Sequence, residues 1–151
     1  MNIQGQHRLS VPPEVVWETL HDEATLRDTI PGCQELAQTA DNVFTGSATV
    51  GIGAIKALYR GNVTLLEEKP HSFAKIRIET KSGHAEIRGS GSVQLEPSDG
   101  GTLVRYEGDA QITGILASVG QRLLPSASKS LIESFFKNVE EVLKQHESQR
   151  S

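Results

Sequence analysis

The sequence predicts one α+β domain in which a seven-stranded, curved antiparallel sheet wraps around a long C-terminal helix, with two short helices after the first strand. Apolar residues recur every three or four positions near the C-terminus, which is the period of an amphipathic helix. Most upstream segments alternate between polar and apolar residues and are separated by short turn signals. The chain has 151 residues, the size of one domain, so one sheet must cover one helix.

Composition indicates a globular protein without a nucleic-acid partner. Hydrophobic residues make up 36% of the chain and charged residues 23%, and the formal net charge is −4. Acidic and basic residues are interspersed, whereas a nucleic-acid-binding surface usually shows a basic stripe. The first residues lack the pattern of a signal peptide, and no apolar run approaches the roughly 18 residues that cross a bilayer. The expected location is the cytoplasm, with at most a peripheral contact at the inner membrane face.

The first part of the chain predicts a strand followed by two short helices. A strand over residues 2–10 ends at Val11-Pro12-Pro13, because proline cannot donate a hydrogen bond to a sheet. Proline is favoured in the first turn of a helix, so a helix is expected over 13–21. A second helix, Glu23 to Asp28, is followed by Ile30-Pro31-Gly32-Cys33.

Six further strands are predicted in the middle of the chain. Turn signals that contain Gly, Asn, Asp or Pro set their boundaries. Because the connections are short, consecutive strands are expected to pair antiparallel. The expected strands are 34–40, 43–52, 55–67, 73–80, 85–97 and 102–113.

The closing part of the chain predicts the long helix. A first helical piece follows Gly114, and Pro125 is expected to interrupt it by removing a backbone hydrogen bond. The main helix is expected over about 126–146, a length of ~32 Å. Its apolar stripe comprises Leu131, Ile132, Phe135, Phe136, Val139, Val142 and Leu143. The helix-and-sheet domain is thus predicted over residues 1–147, with a frayed tail over 148–151.

Glycines within strands mark the predicted inner face of the sheet, the face that meets the helix. They are Gly46, Gly61, Gly89, Gly91 and Gly108. A glycine inside a strand costs roughly 0.5–1 kcal/mol relative to alanine, so such a row needs a physical reason. The glycines could let the sheet bend around the helix, or they could leave space beneath it. We expect both effects together, and therefore a cavity between sheet and helix.

The order of these elements resembles the helix-grip fold of the START, Bet v 1 and polyketide-cyclase (SRPBCC) superfamily. Several segments narrow the resemblance to the CoxG-like family, named after the CoxG subunit of carbon monoxide dehydrogenase. They are Val11-Pro12-Pro13-Glu14-Val15-Val16-Trp17, Ile30-Pro31-Gly32-Cys33, Val50-Gly51-Ile52-Gly53, Gly89-Ser90-Gly91, Tyr106-Glu107-Gly108-Asp109-Ala110-Gln111-Ile112 leading to Gly114, and Phe135-Phe136. The likeness covers about residues 2–143.

The resemblance implies a non-catalytic accessory protein of molybdenum hydroxylase systems. Members of the family are associated with carbon monoxide dehydrogenase as membrane-recruiting or maturation factors, and some are described as holding a quinone in the cavity. The implied partners are therefore a hydrophobic small molecule and a molybdenum hydroxylase or dehydrogenase complex. No tightly bound cofactor is expected; the implied ligand is a quinone or another apolar molecule.

The residues predicted to line the cavity come from the inner face of the sheet and from the helices. They are Trp17, Phe44, Tyr59, Ile76, Ile87, Gly89, Gly91, Tyr106, Gly108, Ile132, Phe135 and Phe136. Trp17 is either core packing or a cavity wall. Tyr59 and Tyr106 carry lone hydroxyls on an apolar face, and each is expected to bind either a ligand carbonyl or a backbone group.

Pro31, Gly32 and Cys33 are candidate portal residues at the cavity mouth. The alternative is that Pro31 and Gly32 only fix the bend between the second helix and the second strand. Cys33, the one cysteine of the sequence, is either a small buried residue or a reactive thiol.

No catalytic or metal site is predicted. The histidines, at positions 7, 21, 71, 84 and 146, show no metal-ligand spacing, and no Gly-x-Ser-x-Gly motif occurs. The inward-facing residues identified on the strands include no Asp, Glu, His or Lys, which disfavours an acid–base pair in the cavity. Two alternatives stay open: a small cyclase or dehydratase that uses the same cavity, and a protein-docking component whose cavity is incidental.

Overall fold

The secondary structure in the computed structural model, which describes residues 1–83, 85–119 and 122–150, follows the predicted order. The ends of the strands differ from prediction by at most two residues. The elements are β1 (Asn2–Leu9), α1 (Pro13–Leu20), α2 (Glu23–Thr29), β2 (Cys33–Ala40), β3 (Val43–Ile52), β4 (Ile55–Lys69), β5 (Phe73–Lys81), β6 (Ala85–Ser98), β7 (Gly101–Gly114), α3 (Ile115–Val119) and α4 (Leu124–Arg150).

The strands form a seven-stranded antiparallel sheet in the order β1-β7-β6-β5-β4-β3-β2. Strands β2 to β7 pair consecutively as a meander, and β1 joins beside β7. The edges of the sheet are therefore β1 and β2. The sheet curves around α4, and α1 and α2 lie beside it, so the predicted helix-grip fold is confirmed.

Turns between the strands adopt the backbone conformation that the sequence predicts. Asn42, His71 and Asp99 have φ angles of 62°, 67° and 49°. Each lies in a predicted turn, between β2 and β3, β4 and β5, and β6 and β7. Asn, Asp and His tolerate this left-handed region better than most residues, so local sequence sets these connections.

Helix α4 is longer than predicted at both ends. It begins at Leu124, so Pro125 lies inside its first turn. The first helical piece is separate from α4, as predicted, but it ends at Val119, before the proline that was expected to interrupt it. A first-turn residue has no intrahelical partner for its N–H, so the missing N–H of proline costs nothing there. The helix continues to Arg150, because Lys, Gln, Glu and Arg in its last turns are good helix formers and no glycine or proline stops it.

Two pairs of glycines bend the sheet, and we call them the glycine creases. Gly46 on β3 lies opposite Gly61 on β4, and Gly91 on β6 lies opposite Gly108 on β7. A Cβ on Gly91 would lie 2.5 Å from the carbonyl oxygen of Glu107 on the neighbouring strand. Equivalent clashes with neighbouring backbone arise at the other crease positions. The creases therefore serve curvature, because only glycine permits so close an approach of two strands.

Gly89 differs from the crease glycines. A Cβ placed there would have only ordinary contacts, the nearest at 3.5 Å to the carbonyl oxygen of Asp109 on β7. Space, not curvature, is what this glycine provides. The two explanations offered for the glycine row thus apply to different members of it.

The apolar core is divided into two clusters at opposite ends of α4. The α1-end core is formed by Leu9, Val11, Val16, Leu95, Val104, Phe136, Val139 and Leu143. The α3-end core is formed by Ile52, Tyr59, Ala85, Leu116 and Leu124. Each cluster fixes one end of α4 to the sheet.

Between the two cores, the backbone of α4 stands away from the middle strands. Its Cα atoms come within 8 Å of several Cα atoms of β1 and α2. They come this close to β3, β4 and β5 at no more than isolated pairs in the described part of the chain. The middle strands and α4 therefore face each other through side chains and not through close backbone contact.

Candidate functional site

The space between the two cores is bordered by half-buried apolar residues, and we call it the hollow. Val63, Leu65, Ile76 and Ile78 share one face of β4 and β5, and Gly89 lies opposite Ile78 on β6. All five are only partly shielded from solvent, and none belongs to either core. Residues of this kind are usually buried fully in a well-packed interior, so the hollow is an apolar surface that the described part of the chain leaves uncovered.

Helix α4 presents matching residues above the hollow. Leu131 is half-buried, belongs to neither core, and lies on the same stripe as Leu124 and Phe135. Ala127 and Ser128, one turn earlier, are small. Ala127 packs on the α3-end core, and Ser128 is half-buried.

The residues predicted to line the cavity all lie on the inner face or on the helices, but the structure divides them among four places. Ile76 and Gly89 border the hollow. Phe44 of β3 is buried beside it, opposite Val63 of β4. Gly91 and Gly108 form one crease. Tyr59 and Ile87 belong to or pack on the α3-end core, whereas Trp17, Tyr106, Ile132, Phe135 and Phe136 belong to or pack on the α1-end core. Contact of each residue with a ligand remains a prediction.

Tyr59 and Tyr106 carry hydroxyls without a hydrogen-bond partner among the described residues. No fully buried side-chain polar atom in this part of the chain lacks a partner, so both hydroxyls reach accessible space. Tyr106 stacks on Phe136, with ring centroids 5.8 Å apart, and its ring covers Gly5 of β1. Burial, and secondly the charge of Glu133, raise the pKa of the Tyr106 phenol, which therefore stays a proton donor at neutral pH.

Two histidine–glutamate pairs lie beside the α1-end core. His7 Nε2 lies 2.5 Å from Glu140 Oε1 of α4, and the His7 ring stacks on Phe136 at 5.0 Å. His21 Nε2 lies 2.6 Å from Glu68 Oε2 of β4. These residues were not among the inward-facing positions identified from the sequence, so the inner face carries ionisable groups that the sequence analysis did not identify. The sequence contained a signal for the inward position of His7. In a strand every second residue points to the same face, and His7 shares its face of β1 with Ile3, Gly5 and Leu9.

These pairs hold the helices in place and close the α1 end. His21 also donates from Nδ1 to the backbone carbonyl of Trp17, 2.7 Å away, so both of its ring nitrogens are engaged. Asn138 of α4 donates from Nδ2 to the carbonyl of Thr29 in α2 at 2.9 Å. The C-terminal half of α4 is thus tied to β1 and to α2. Its N-terminal half is held by the α3-end core.

The candidate portal residues form a tight bend between α2 and β2. Gly32 has a φ of 71°, and its carbonyl accepts a hydrogen bond of 2.9 Å from the backbone N–H of Thr49. A Cβ at this position would strike the Thr49 carbonyl, so glycine is required. The geometry supports the bend interpretation of Pro31 and Gly32, and their role at a portal remains a prediction.

Cys33 is half-buried, and its Sγ lies 3.5 Å from the Glu35 carbonyl. Burial raises the pKa of the Cys33 thiol, although the charge of Arg27 acts in the opposite direction. A raised pKa lowers the thiolate fraction at any pH below it, and the thiolate is the nucleophile. We therefore expect Cys33 to react with Ellman's reagent at pH 8 several-fold more slowly in the folded protein than in 6 M guanidinium chloride. A folded rate equal to or above the unfolded rate would contradict this.

Neither a metal centre nor a membrane-spanning helix is found in the described ranges. No group of three or more His, Cys, Asp or Glu side chains there is arranged to hold a metal ion. No helix there is long and apolar enough to cross a membrane.

Comparison with solved structures shows the same architecture in other proteins. A conserved protein from Geobacillus kaustophilus matches with 28% identity, 96% coverage of both chains and a TM-score of 0.91. A START superfamily protein from Mycobacterium smegmatis matches with 11% identity, 95% coverage of this chain, 97% of the other and a TM-score of 0.70. The Streptomyces ZhuI aromatase/cyclase matches with 12% identity, 96% and 94% coverage and a TM-score of 0.68. At such low identities the last two matches show a shared fold alone.

Comparison at the level of sequence families is more specific. No curated protein sequence matches the chain. The family model that describes the CoxG subunit of carbon monoxide dehydrogenase matches residues 5–144, which is nearly the whole chain and includes both cores and the hollow. The chain therefore belongs to the CoxG family of carbon monoxide dehydrogenase subunits.

Proposed function

We propose that this protein is a non-catalytic accessory protein that binds an apolar small molecule, such as a quinone, in the hollow between the sheet and α4. The observation that carries the proposal is the division of the core. Both ends of α4 are packed, whereas the apolar side chains between them remain half-buried. A ligand that covered Val63, Ile76 and Ile78 would complete the interior.

The chemistry of the hollow selects the ligand class. Its floor is aliphatic, so a planar or chain-like apolar molecule would gain about 25 cal/mol for each Å² of apolar area that it buries, before ordering costs. The hydroxyls of Tyr59 and Tyr106, at opposite ends and without partners in the described ranges, are donors that a ligand carbonyl would satisfy. A quinone combines an apolar body with carbonyl acceptors and fits both requirements.

Thermal unfolding with added quinone tests this proposal. We expect a short-chain benzoquinone or naphthoquinone to raise the melting temperature, because a ligand that binds only the folded state stabilises it by mass action, by about 2.7 kcal/mol at 100 times its Kd. Native mass spectrometry of protein purified from its own cells should show an apolar adduct. Absence of both the adduct and the thermal shift would contradict the proposal.

The variant Gly89→Leu tests the location of the site. A leucine there would project into the hollow without striking the backbone, so we expect quinone affinity to fall about tenfold or more, which corresponds to ~1.4 kcal/mol. The matched control is Ser90→Leu, which adds the same side chain on the exposed outer face of the same strand. Equal affinity in the two variants would place the ligand elsewhere.

The accessory role requires a protein partner, and membership of the CoxG family supports a molybdenum hydroxylase in that position. Peripheral contact with the inner membrane face would let the protein exchange an apolar ligand with lipid. Co-purification from the native cell tests the partner. If the hydroxylase co-purifies with both the wild type and Gly89→Leu, docking does not depend on ligand; if it co-purifies with neither, the accessory role is contradicted.

A small cyclase or dehydratase is the second candidate, and one observation favours it. The His7–Glu140 pair lies beside Phe136 of the α1-end core, and Nδ1 of His7 has no hydrogen-bond partner among the described residues. A histidine oriented by a carboxylate is a general base when its second nitrogen is free. Loss of turnover of a polyketide-type substrate in both His7→Gln and Tyr106→Phe would support this candidate over the binding protein.

A further inference from the structure

The outer face of the sheet carries cations that are mostly neutralised by neighbouring carboxylates. Four outward-facing basic residues each lie within 4 Å of an acidic partner. These pairs are Lys75 with Glu67, Arg77 with Glu79, Arg88 with Glu86, and Arg105 with Glu96. This is the ordinary way in which an exposed antiparallel face is made soluble.

Four outward-facing cations depart from this arrangement. One is Lys69 at the end of β4, and we call the other three, Lys56, Arg60 and Lys81, the cationic patch. Lys56 and Arg60 lie on the same face of β4, four residues and ~13 Å apart. Lys81 of β5 lies directly opposite Arg60. None of the three has an ion pair or a side-chain hydrogen bond with any described residue. Like charges directly opposite each other on paired strands are destabilising. Glu86 of β6 lies opposite Lys81 on its other side, but its carboxylate is paired with Arg88.

An exposed apolar side chain and a depression adjoin the cationic patch. Leu58 lies between Lys56 and Arg60 on the same face, with 39% of its surface exposed. Arg60 also lines a depression of about 670 Å³ together with Ala37, Thr39 and Thr45 of β2 and β3, and Glu35 is the acidic residue in its lining. Arg27 of α2 stands at its rim. Leu58 and the depression thus offer apolar contact directly beside the three cations.

We propose that the cationic patch, with Leu58 and the adjoining depression, is a docking surface for an acidic segment of a partner protein. Charge complementarity selects the occupant, because the three cations form no ion pair with a described residue and outnumber Glu35, the carboxylate in the adjoining depression. The chain as a whole carries a net charge of −4, so its long-range field opposes nucleic acid and anionic membranes, which need a broad basic surface. Leu58 and the depression add apolar contact that a protein segment, but not a phosphate polymer, would use.

Site-specific photo-cross-linking tests the proposal in the intact chain. A photo-reactive amino acid replaces Leu58 in the native cell, and the cross-linked peptides are sequenced by mass spectrometry. The matched control position is Leu66, on the same strand and 50% exposed, where the neighbouring Glu67 and Lys75 neutralise each other. We expect adducts from position 58, and not from 66, to one protein segment rich in Asp and Glu.

Charge reversal tests whether the cations cause the binding of the acidic segment. Arg60→Glu with Lys81→Glu is expected to lower the adduct yield about tenfold, because two attractive contacts become repulsive. Lys137→Glu with Lys144→Glu changes the net charge equally on exposed positions of α4 and should leave the yield unchanged. Gly89→Leu, which blocks the hollow, should also leave it unchanged, so that failure of docking and failure of ligand binding are scored separately.

Several results would overturn the proposal. Adducts to lipid or RNA would assign the surface to another class of partner. Adducts to neutral segments, equal yields from positions 58 and 66, or no adduct at all would show that the cationic patch is not a docking surface. A yield that the Arg60→Glu and Lys81→Glu changes do not lower would have the same meaning.

Discussion

Replacing Gly61 by alanine is expected to destabilise the domain by about 3 kcal/mol, a large share of the ~5–15 kcal/mol that holds a typical domain folded. The added Cβ would strike the Glu79 carbonyl and lie 2.7 Å from the Cα of Thr80, both on the neighbouring strand β5. Backbone atoms in the middle of a sheet cannot move aside without breaking ladder hydrogen bonds. Urea unfolding followed by circular dichroism measures the loss.

Gly89→Ala is the matched control for this prediction. It makes the same chemical change on the same face, but its Cβ would meet only ordinary contacts at 3.5 Å and beyond. Removing a glycine also reduces the entropy of the unfolded chain, which contributes up to about 1 kcal/mol of stability where the backbone conformation permits. We therefore expect Gly89→Ala to be neutral or slightly stabilising. Equal losses in the two variants would contradict the assignment of Gly61 to curvature.

Truncation of Phe136 to alanine is the second substitution with a large expected effect. Phe136 is 6% exposed in the α1-end core, where its ring packs against His7, Tyr106 and Phe135. Large-to-small changes of a buried phenylalanine cost roughly 3–5 kcal/mol, because they remove apolar contacts and leave a cavity. We expect a loss in this range, measured as a shift of the urea midpoint with an unchanged slope.

Phe135→Ala distinguishes the packed core from the hollow. Phe135 is the preceding residue on α4 and has the same size, but it is only half-buried. We expect its truncation to cost clearly less stability than that of Phe136. If ligand-free protein lost as much stability from Phe135→Ala as from Phe136→Ala, the contrast between a fully packed Phe136 ring and a partly exposed Phe135 ring would be contradicted.

Local sequence signals account for most of the architecture. The turns at Asn42, His71 and Asp99 were predictable because short polar residues and glycine leave few backbone alternatives. Alternation along β6 and β7 identified their inner faces. The start of α4 was mislocated because proline has two opposite effects, which depend only on whether it lies in the first turn or later. A sequence pattern alone does not reveal where that first turn begins.

Features that depend on register between distant segments were harder to predict. Sequence identified the glycine row but could not separate Gly89 from the crease glycines, because that distinction requires knowing that Gly46 faces Gly61 and Gly91 faces Gly108. The pairing of His7 with Glu140 joins residues 133 positions apart in the chain. Likewise, Arg60 and Lys81 form no ion pair with a described residue, whereas most neighbouring cations do. This difference becomes visible only when the register between neighbouring strands is known.

The bends of the sheet and the walls of the hollow are encoded by different residues. Backbone contacts at Gly46, Gly61, Gly91 and Gly108 shape the scaffold. Side chains such as Ile76 and Ile78 instead determine the contour that a guest would meet. Exchanging these side chains would alter which molecules fit while every strand stayed in position. New specificities can thus be acquired one substitution at a time, without rebuilding the architecture that carries them.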